Sequence, residues 1–188
     1  MAATHRHVQQ TESVNDVHVR PWTEADLPTV GRLHALSRHH AYAGLVDAEA
    51  LARVTPETQE MVWRARWEQM RTSPESHVMV LAEVDGEPAG FAVAFALPRP
   101  DQGSQAELSA IHVLPRHHGS GAGAALMDAV VEAMSGWGVS TAHLLVVDGN
   151  DRAQAFYRRT GWVLRGSAGV HDVGGADVPV LRYELEVG

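Results

Sequence analysis

Gly119, Gly121 and Gly123 are interleaved with Ser120 and Ala122 behind a strand-like run that stops at Pro115, and Ala124 and Ala125 open a helical pattern directly after them. Strand, glycine-rich turn and helix start, in that order, bring several backbone N–H groups without intrahelical partners to one point. Glycine lets the backbone approach a ligand closely, alanine keeps the first helical turn free of bulk, and a helix N-terminus carries partial positive charge. The chemistry that suits such a point is the binding of a diphosphate. Arg116, His117 and His118 stand beside it and can add charge. The same glycines also suit a helix that merely starts tightly against a sheet, so they must be weighed with their surroundings.

Two other phosphate-binding patterns compete for this segment. A nucleotide P-loop needs Gly-Lys-Ser or Gly-Lys-Thr after the turn to reach terminal phosphates, and neither occurs. The run Gly119 to Ala124 does fit G-x-G-x-x-A, and Asp148 ends a later strand where a ribose-binding carboxylate is expected in a dinucleotide site. Against that reading, Pro115 to His118 separate the strand from the first glycine, and about 65 residues follow the motif, too few for a full dinucleotide fold.

The elements that must position this turn are legible in outline. Val17 to Pro21 alternates and stops at proline, which predicts a strand, and Thr23 with Glu24, Ala25 and Asp26 predicts the capped start of a helix continued by Val30, Leu33, His34 and Leu36. Thr55 and Pro56 open a second helix through Met70, with Val62, Trp63, Trp67 and Met70 near one face. The two tryptophans at helical spacing read as core, with a pocket wall as the rival role. His77 to Val84, the turn Asp85-Gly86, and Gly90 to Leu97 read as an antiparallel hairpin, and Glu107 to Val113 as the next strand.

Beyond the glycines, Leu126, Met127, Val130, Val131 and Met134 keep helical spacing until Gly136 and Gly138. His143 to Val147 reads as a strand, Ala153 to Arg159 as a helix stopped by Gly161, Trp162 to Arg165 as the start of a strand, and Leu181, Tyr183, Leu185 and Val187 as alternating positions of a last one. Gly174-Gly175 turns the chain between those two. Antiparallel strands followed by strand–helix–strand units predict a mixed α/β sheet with helices on both faces. No internal repeat is present.

Composition sets the outer bounds. The chain has 188 residues, 45% of them hydrophobic and 20% charged, as expected of one globular domain with a sizeable core. Residues 1 to 15 are polar and unpatterned and read as a disordered tail, leaving 16 to 188 as a single domain. No apolar run approaches a membrane span and the N-terminus lacks a leader core, so a soluble, cytoplasmic protein is expected. With no cysteine, neither a disulfide nor an acyl-cysteine can form. A formal charge of −8 argues against non-specific nucleic-acid binding and mildly favours a cationic small molecule or peptide. Twelve histidines raise a metal reading, but no His-Glu-x-x-His occurs, and the pairs His39-His40 and His117-His118 would diverge if helical. No required metal is expected.

The segment V-L-P-R-H-H-G-S-G-A-G-A-A-L-M closely resembles V-x-P-x-x-R-G-x-G-x-G-x-x-L, the first motif of the GNAT superfamily of N-acetyltransferases. The pattern N-x-x-A-x-x-F-Y-x-x-x-G-W at Asn150, Ala153, Phe156, Tyr157, Gly161 and Trp162 resembles the family's second motif, and L-H-A-L-S-R-H-H-A-Y-A-G-L-V resembles the first helix and loop of bacterial small-molecule members. The resemblance implies the GNAT acyl-CoA N-acyltransferase fold, with a central, mostly antiparallel twisted sheet, and acetyl transfer from acetyl-coenzyme A to a primary amine by direct attack in a ternary complex. It implies pantetheine contacts for the backbone of Ile111, His112 and Val113, and pyrophosphate contacts for His118, Gly119, Ser120, Gly121, Ala122, Gly123 and Ala124. His118 stands where the family usually has arginine or glutamine, which makes charge there dependent on pH and leaves Arg116 as a substitute.

Further implied roles are the pantetheine arm for Asn150, the cofactor channel for Phe156, and general acid for Tyr157. An ammonium must lose a proton before it can attack, and Glu107, on the strand leading to the turn, is the candidate base, directly or through water; a surface glutamate on an alternating strand is the plain alternative. A backbone N–H near His112 or Val113 is positioned by the same resemblance to stabilise the oxyanion. His39, His40 and Tyr42 fall where such folds build the acceptor pocket, although exposed helix residues would look the same. The acceptor expected is a small molecule. A protein lysine or N-terminal amine, a non-catalytic acyl-CoA sensor, and the dinucleotide fragment stay open as alternatives, and the resemblance implies a homodimer.

Overall fold

The computed structural model describes residues 15–97 and 105–188. The tail expected over residues 1 to 15 falls, but for its last residue, outside them. Seven strands form one sheet in the order β1-β2-β3-β4-β5-β7-β6. They are β1 (Val17–Pro21), β2 (His77–Val84), β3 (Glu87–Leu97), β4 (Gln105–Val113), β5 (Thr141–Val147), β6 (Val163–Val173) and β7 (Ala176–Glu186). Every neighbouring pair is antiparallel except β4 and β5, the two strands joined through a helix. A dinucleotide fold needs a doubly wound parallel sheet, so this topology removes that reading. Asp148 is exposed and lies outside the cavity described below.

The helices are α1 (Leu27–Tyr42), α2 (Ala48–Ala52), α3 (Pro56–Arg71), α4 (Ala122–Gly136) and α5 (Asp151–Arg159). The start expected at Thr23 is instead a 3-10 turn over Glu24–Asp26, with α1 beginning at Leu27. Pro28 has no N–H to donate to the Glu24 carbonyl, which accepts from Leu27 N–H instead, so the first turn closes in the tighter pattern. Asp26 ties this turn to β1 through a two-pronged bond with the Arg20 guanidinium, at 3.0 and 2.9 Å. Sequence reading missed α2, which is too short to show a period; its one signal is Asp47, whose carboxylate accepts from the N–H groups of Glu49 and Ala50.

Apolar positions on both faces of the strands build three clusters. On one face α1 and α3 pack Leu27, Val30, Leu33, Trp63, Trp67 and Met70 against Trp22, Leu81, Phe91 and Ala110. On the other face α4 and α5 press Leu126, Met127, Val130, Met134 and Tyr157 against Ala92, Leu108, Leu144 and Tyr183. The α2 region closes a third cluster, in which Val46, Leu51 and Val54 meet Val147, Val178 and Val180. Trp63 and Trp67 are thus core, Trp63 also edging the cavity described below, while Val62 is exposed.

Two irregularities decide where a site can form. Val93 pairs with Ala110 and Ala94 with Leu108, so Ser109 is an extra residue that bends β4. The parallel pairing of β4 with β5 lasts only from Gln105, Ala106 and Glu107 opposite Thr141, Ala142 and His143. Beyond those three pairs the strands part, and the β5-facing backbone edge of β4 is left without a ladder partner. In a folded core that exposure demands another partner.

Candidate active site

The parting of β4 and β5 opens a cavity of about 1260 Å3. It is lined along β4 from Glu107 to Val113, along β5 from Leu145 to Val147, and by Gly119, Gly121, Gly123 and Ala124 at the start of α4. Asn150, Phe156 and Tyr157 come from the α5 side, while His34, Ser37, Arg38, His40 and Tyr42 come from α1. The hairpin of β6 and β7 contributes His171, Asp172 and Gly174. Of the residues singled out in the sequence, His39, Arg116, Ser120 and Ala122 are not in the wall.

At the glycine turn, the positive φ of Gly119 and Gly121, 85° and 95°, lies in the left-handed region that side-chain-bearing residues avoid. Gly121 caps α4, so the N–H groups of its first turn have no intrahelical acceptor. Ser120 works behind the turn, its hydroxyl accepting from Ala122 N–H at 3.3 Å. His118 folds back, with Nε2 3.1 Å from the Val113 carbonyl. Burial, and then the nearby Arg152 cation, hold its pKa below the ordinary imidazole value, so at neutral pH it is an uncharged donor. Arg116 is exposed and donates to His117 Nε2 at 3.1 Å. A fixed cation on the cavity side that acts on His118 is Arg152, in the first turn of α5, which sequence reading passed over.

Asn150 Oδ1 is engaged as the cap of α5, accepting from Ala153 N–H at 3.2 Å, which leaves its amide N–H2 to donate. That helix is pinned by a chain running from the surface into the core, in which Arg158 donates to the Tyr183 hydroxyl at 3.1 Å and Tyr183 donates to Gln154 Oε1 at 3.2 Å. Its register delivers the Phe156 ring against Gly123 and Val113 and Tyr157 into the wall. Tyr157 is 8% exposed, burial raises its pKa above the ordinary phenol value, and its hydroxyl has no hydrogen-bond partner among the described residues.

Glu107 lies in the wall 3.5 Å from His143 Nε2 across the last pairing of β4 with β5. His143 is buried and its Nδ1 has no partner among the described residues. Along the same face, His34 accepts from Trp63 Nε1 at 3.1 Å, which places the proton of its neutral form on Nε2, and its ring centroid is 4.6 Å from that of His112. Burial pushes His34 well below the ordinary value and His112 down to about 3. His40 exposes its ring 5.7 Å from that of His118, and Tyr42 closes α1 beside Tyr157. His39 turns away, its Nε2 2.8 Å from the Val54 carbonyl, because adjacent helical positions diverge by about 100°.

A mixed sheet split between its two parallel strands, with a glycine-capped helix aimed into the split, defines an acyl-CoA-type α/β domain. The chain belongs to the acetyltransferase (GNAT) family, whose model matches residues 42–162. An uncharacterized N-acetyltransferase of Mycobacterium tuberculosis, and its counterpart in Mycobacterium bovis, are 38% identical over 103 residues, 55% of this chain. The matched part spans 63% of the length of those relatives. Among solved structures, the PaiA N-acetyltransferase of Thermoplasma acidophilum in complex with coenzyme A superposes with a TM-score of 0.67 at 19% identity, covering 91% of this chain and 99% of that one. A nourseothricin acetyltransferase is 28% identical with a TM-score of 0.54, over 60% of this chain and 66% of its own. Among the described residues no helix is long and apolar enough to cross a membrane, and no cluster of three or more histidine and acidic side chains is arranged to hold a metal.

Proposed function

We propose that the chain, over residues 16 to 188, is an N-acetyltransferase that moves the acetyl group of acetyl-coenzyme A to the primary amine of a small molecule, by direct attack in a ternary complex. The observation that carries this is the unpaired edge of β4, which runs along the cavity from the capped N-terminus of α4 to the pocket behind α1. Those features fit a coenzyme A arm: backbone donors at Ile111 and Val113 for the pantetheine amides, N–H groups at Gly121 to Ala124 with Arg152 for the pyrophosphate, and Phe156 as an apolar wall. The PaiA complex with coenzyme A supports the same assignment. Acetyl-coenzyme A, when bound, supplies an acetyl thioester whose carbonyl is attacked and whose sulfur leaves.

The rest is work for the protein. Glu107, directly or through water, takes the proton that frees the amine lone pair, and His143 behind it orients the carboxylate. An N–H near His112 or Val113 meets the carbonyl oxygen as it gains charge. Tyr157, which burial keeps protonated, gives its proton to the departing sulfur, and the proton released by the attacking nitrogen restores it. His40 and Tyr42 border the acceptor side.

A small acceptor is favoured over a protein because the pocket is roofed. The Gly174 carbonyl accepts from Arg53 Nε at 2.6 Å, and the hairpin turn sits so tightly on Ala50 of α2 that a side chain at 174 has no room. A homodimer in the cytoplasm accompanies this reading, with the exposed Val163, Leu164 and Val170 of edge strand β6 as its apolar surface. The test is calorimetric titration with acetyl-coenzyme A, followed by thiol release over a panel of amines. Binding with amine-dependent release supports the enzyme, binding with release only on peptides supports a protein acceptor, and binding without release on any amine supports a sensor.

A further inference from the structure

One corner of the cavity is built from α1, α3 and the hairpin of β6 and β7, and it collects arginines that have no ion-pair partner among the described residues. Arg38 is half-buried, its Nε is buried with no hydrogen-bond partner among the described residues, and its Nη2 lies 3.3 Å from His171 Nε2. Its guanidinium stands 5.8 Å from the centre of the Tyr42 ring. Arg66 holds its guanidinium 5.7 Å from the Trp63 ring centre. Neither arginine has a carboxylate within ion-pair distance among the described residues, whereas Arg53 in the same wall is paired with Glu49 at 3.1 Å. The hydroxyl of Ser37, also in the wall, is buried without a partner among the described residues.

The histidines report the same field. Burial comes first, and then Arg38 lowers the pKa of His112 and His171, while His34 is lowered next by His112 and then by Arg38 and Arg66. All three are therefore neutral at physiological pH and take no charge away from the arginines. The acidic groups acting on His171 are Asp172 and Glu107. The first lies in the hairpin, and the second is the candidate base. A guanidinium with a buried, unmade hydrogen bond is costly to maintain, and a planar carboxylate is the group its fork satisfies best. Although the chain carries a net charge of −8, the acceptor corner is positive, which reverses locally what composition suggests.

We propose that this corner is an anion site in which Arg38 and Arg66 hold the carboxylate of an amino-acid acceptor, while its amino group is presented toward Glu107. Its substrates are then free amino acids, not polyamines or lysine side chains in peptides. The inference rests on the acetyltransferase reading and narrows it.

Thiol release from acetyl-coenzyme A is measured with a panel of L-amino acids, each beside its carboxamide and its decarboxylated amine, and acetyl-coenzyme A affinity is measured by calorimetry on the same preparations. The expected result is turnover of at least one free acid, with kcat/KM roughly tenfold or more above that of its carboxamide, as charge-assisted binding of the carboxylate requires. In Arg38→Gln and in Arg66→Gln that ratio should shrink to about twofold through KM for the acid, and Arg38→Lys should restore part of it. Arg66 is exposed, so its variant folds even where Arg38→Gln does not. A preference for carboxamides or diamines, a ratio unmoved in the variants, or acetyl-coenzyme A binding without turnover of any acid would each overturn the anion site. Failure of the wild type to bind acetyl-coenzyme A would instead overturn the acetyltransferase reading beneath it.

Discussion

Tyr157 combines a ring packed among Phe156, Trp162 and Tyr183 with a hydroxyl that has no partner among the described residues. Removing only the oxygen keeps that packing, so Tyr157→Phe should fold normally, bind acetyl-coenzyme A within about twofold, and lose on the order of a hundredfold in kcat, the usual scale for a general acid. Steady-state kinetics beside calorimetry check it, and an unchanged kcat would take Tyr157 out of the reaction. The pyrophosphate cation is a second question at this scale. Arg152 faces the cavity, His118 is neutral and bonded to Val113, and Arg116 points to solvent. Arg152→Gln should therefore weaken coenzyme A binding about tenfold at neutral pH, while Arg116→Gln changes it by less than about twofold. The sequence placed charge near the turn through Arg116 and His118 because they adjoin it in the chain. Arg152 arrives from a different helix, and no spacing rule connects it to Gly121.

The crossing of α1 and α3 positions half of the arginine-lined corner, since one carries Ser37, Arg38 and Tyr42 and the other Trp63 and Arg66. They approach at Gly31, where an added Cβ would sit 2.6 Å from the Pro56 carbonyl oxygen and 2.7 Å from the Glu60 nitrogen. Both are backbone atoms and cannot rotate away, so the helices must part. Gly31→Ala should cost about 2 kcal/mol or more in denaturant unfolding despite alanine's better helix propensity. An unchanged midpoint would show that the crossing yields freely. Elements whose signals are local were legible: Asp85 and Gly86 turn the first hairpin with φ of 52° and 80°, and Thr55 caps α3 ahead of Pro56. The exceptions are also local in cause. Pro28 redrew the start of α1, and α2 offers only an aspartate cap.

Two neutral histidines, His34 in the core and His112 half-buried in the cavity wall, give the whole molecule an acid weakness that begins above the range where carboxylates titrate. His112 has an unfolded value of 6.5 and a folded value of about 3, so between those limits the unfolded chain binds a proton that the native state refuses. Stability then falls as pH drops below 6.5, by at most about 1.4 kcal/mol per pH unit for this one group, and His34 acts in the same direction. Above 6.5 neither state is charged there and the effect vanishes. Denaturant unfolding at pH 7.5 and pH 5 should show this loss, and His112→Phe should reduce it; a flat profile from pH 7.5 to 5 would mean that the imidazoles take up protons within the folded state.

What the amino-acid order determined by itself is what short-range geometry dictates: the glycines at 119 and 121 that alone accept a left-handed backbone, the cap at Thr55, the alternation of the strands, and with them the family. Only the tertiary structure decided that β7 enters the sheet between β5 and β6, that β4 and β5 part after three pairs, and that Arg38 meets His171 across 133 positions of chain. Contacts of that kind come from burying apolar faces against one another. The polar groups brought together as a by-product, here the arginines of the cavity corner, leave no periodic trace in the sequence.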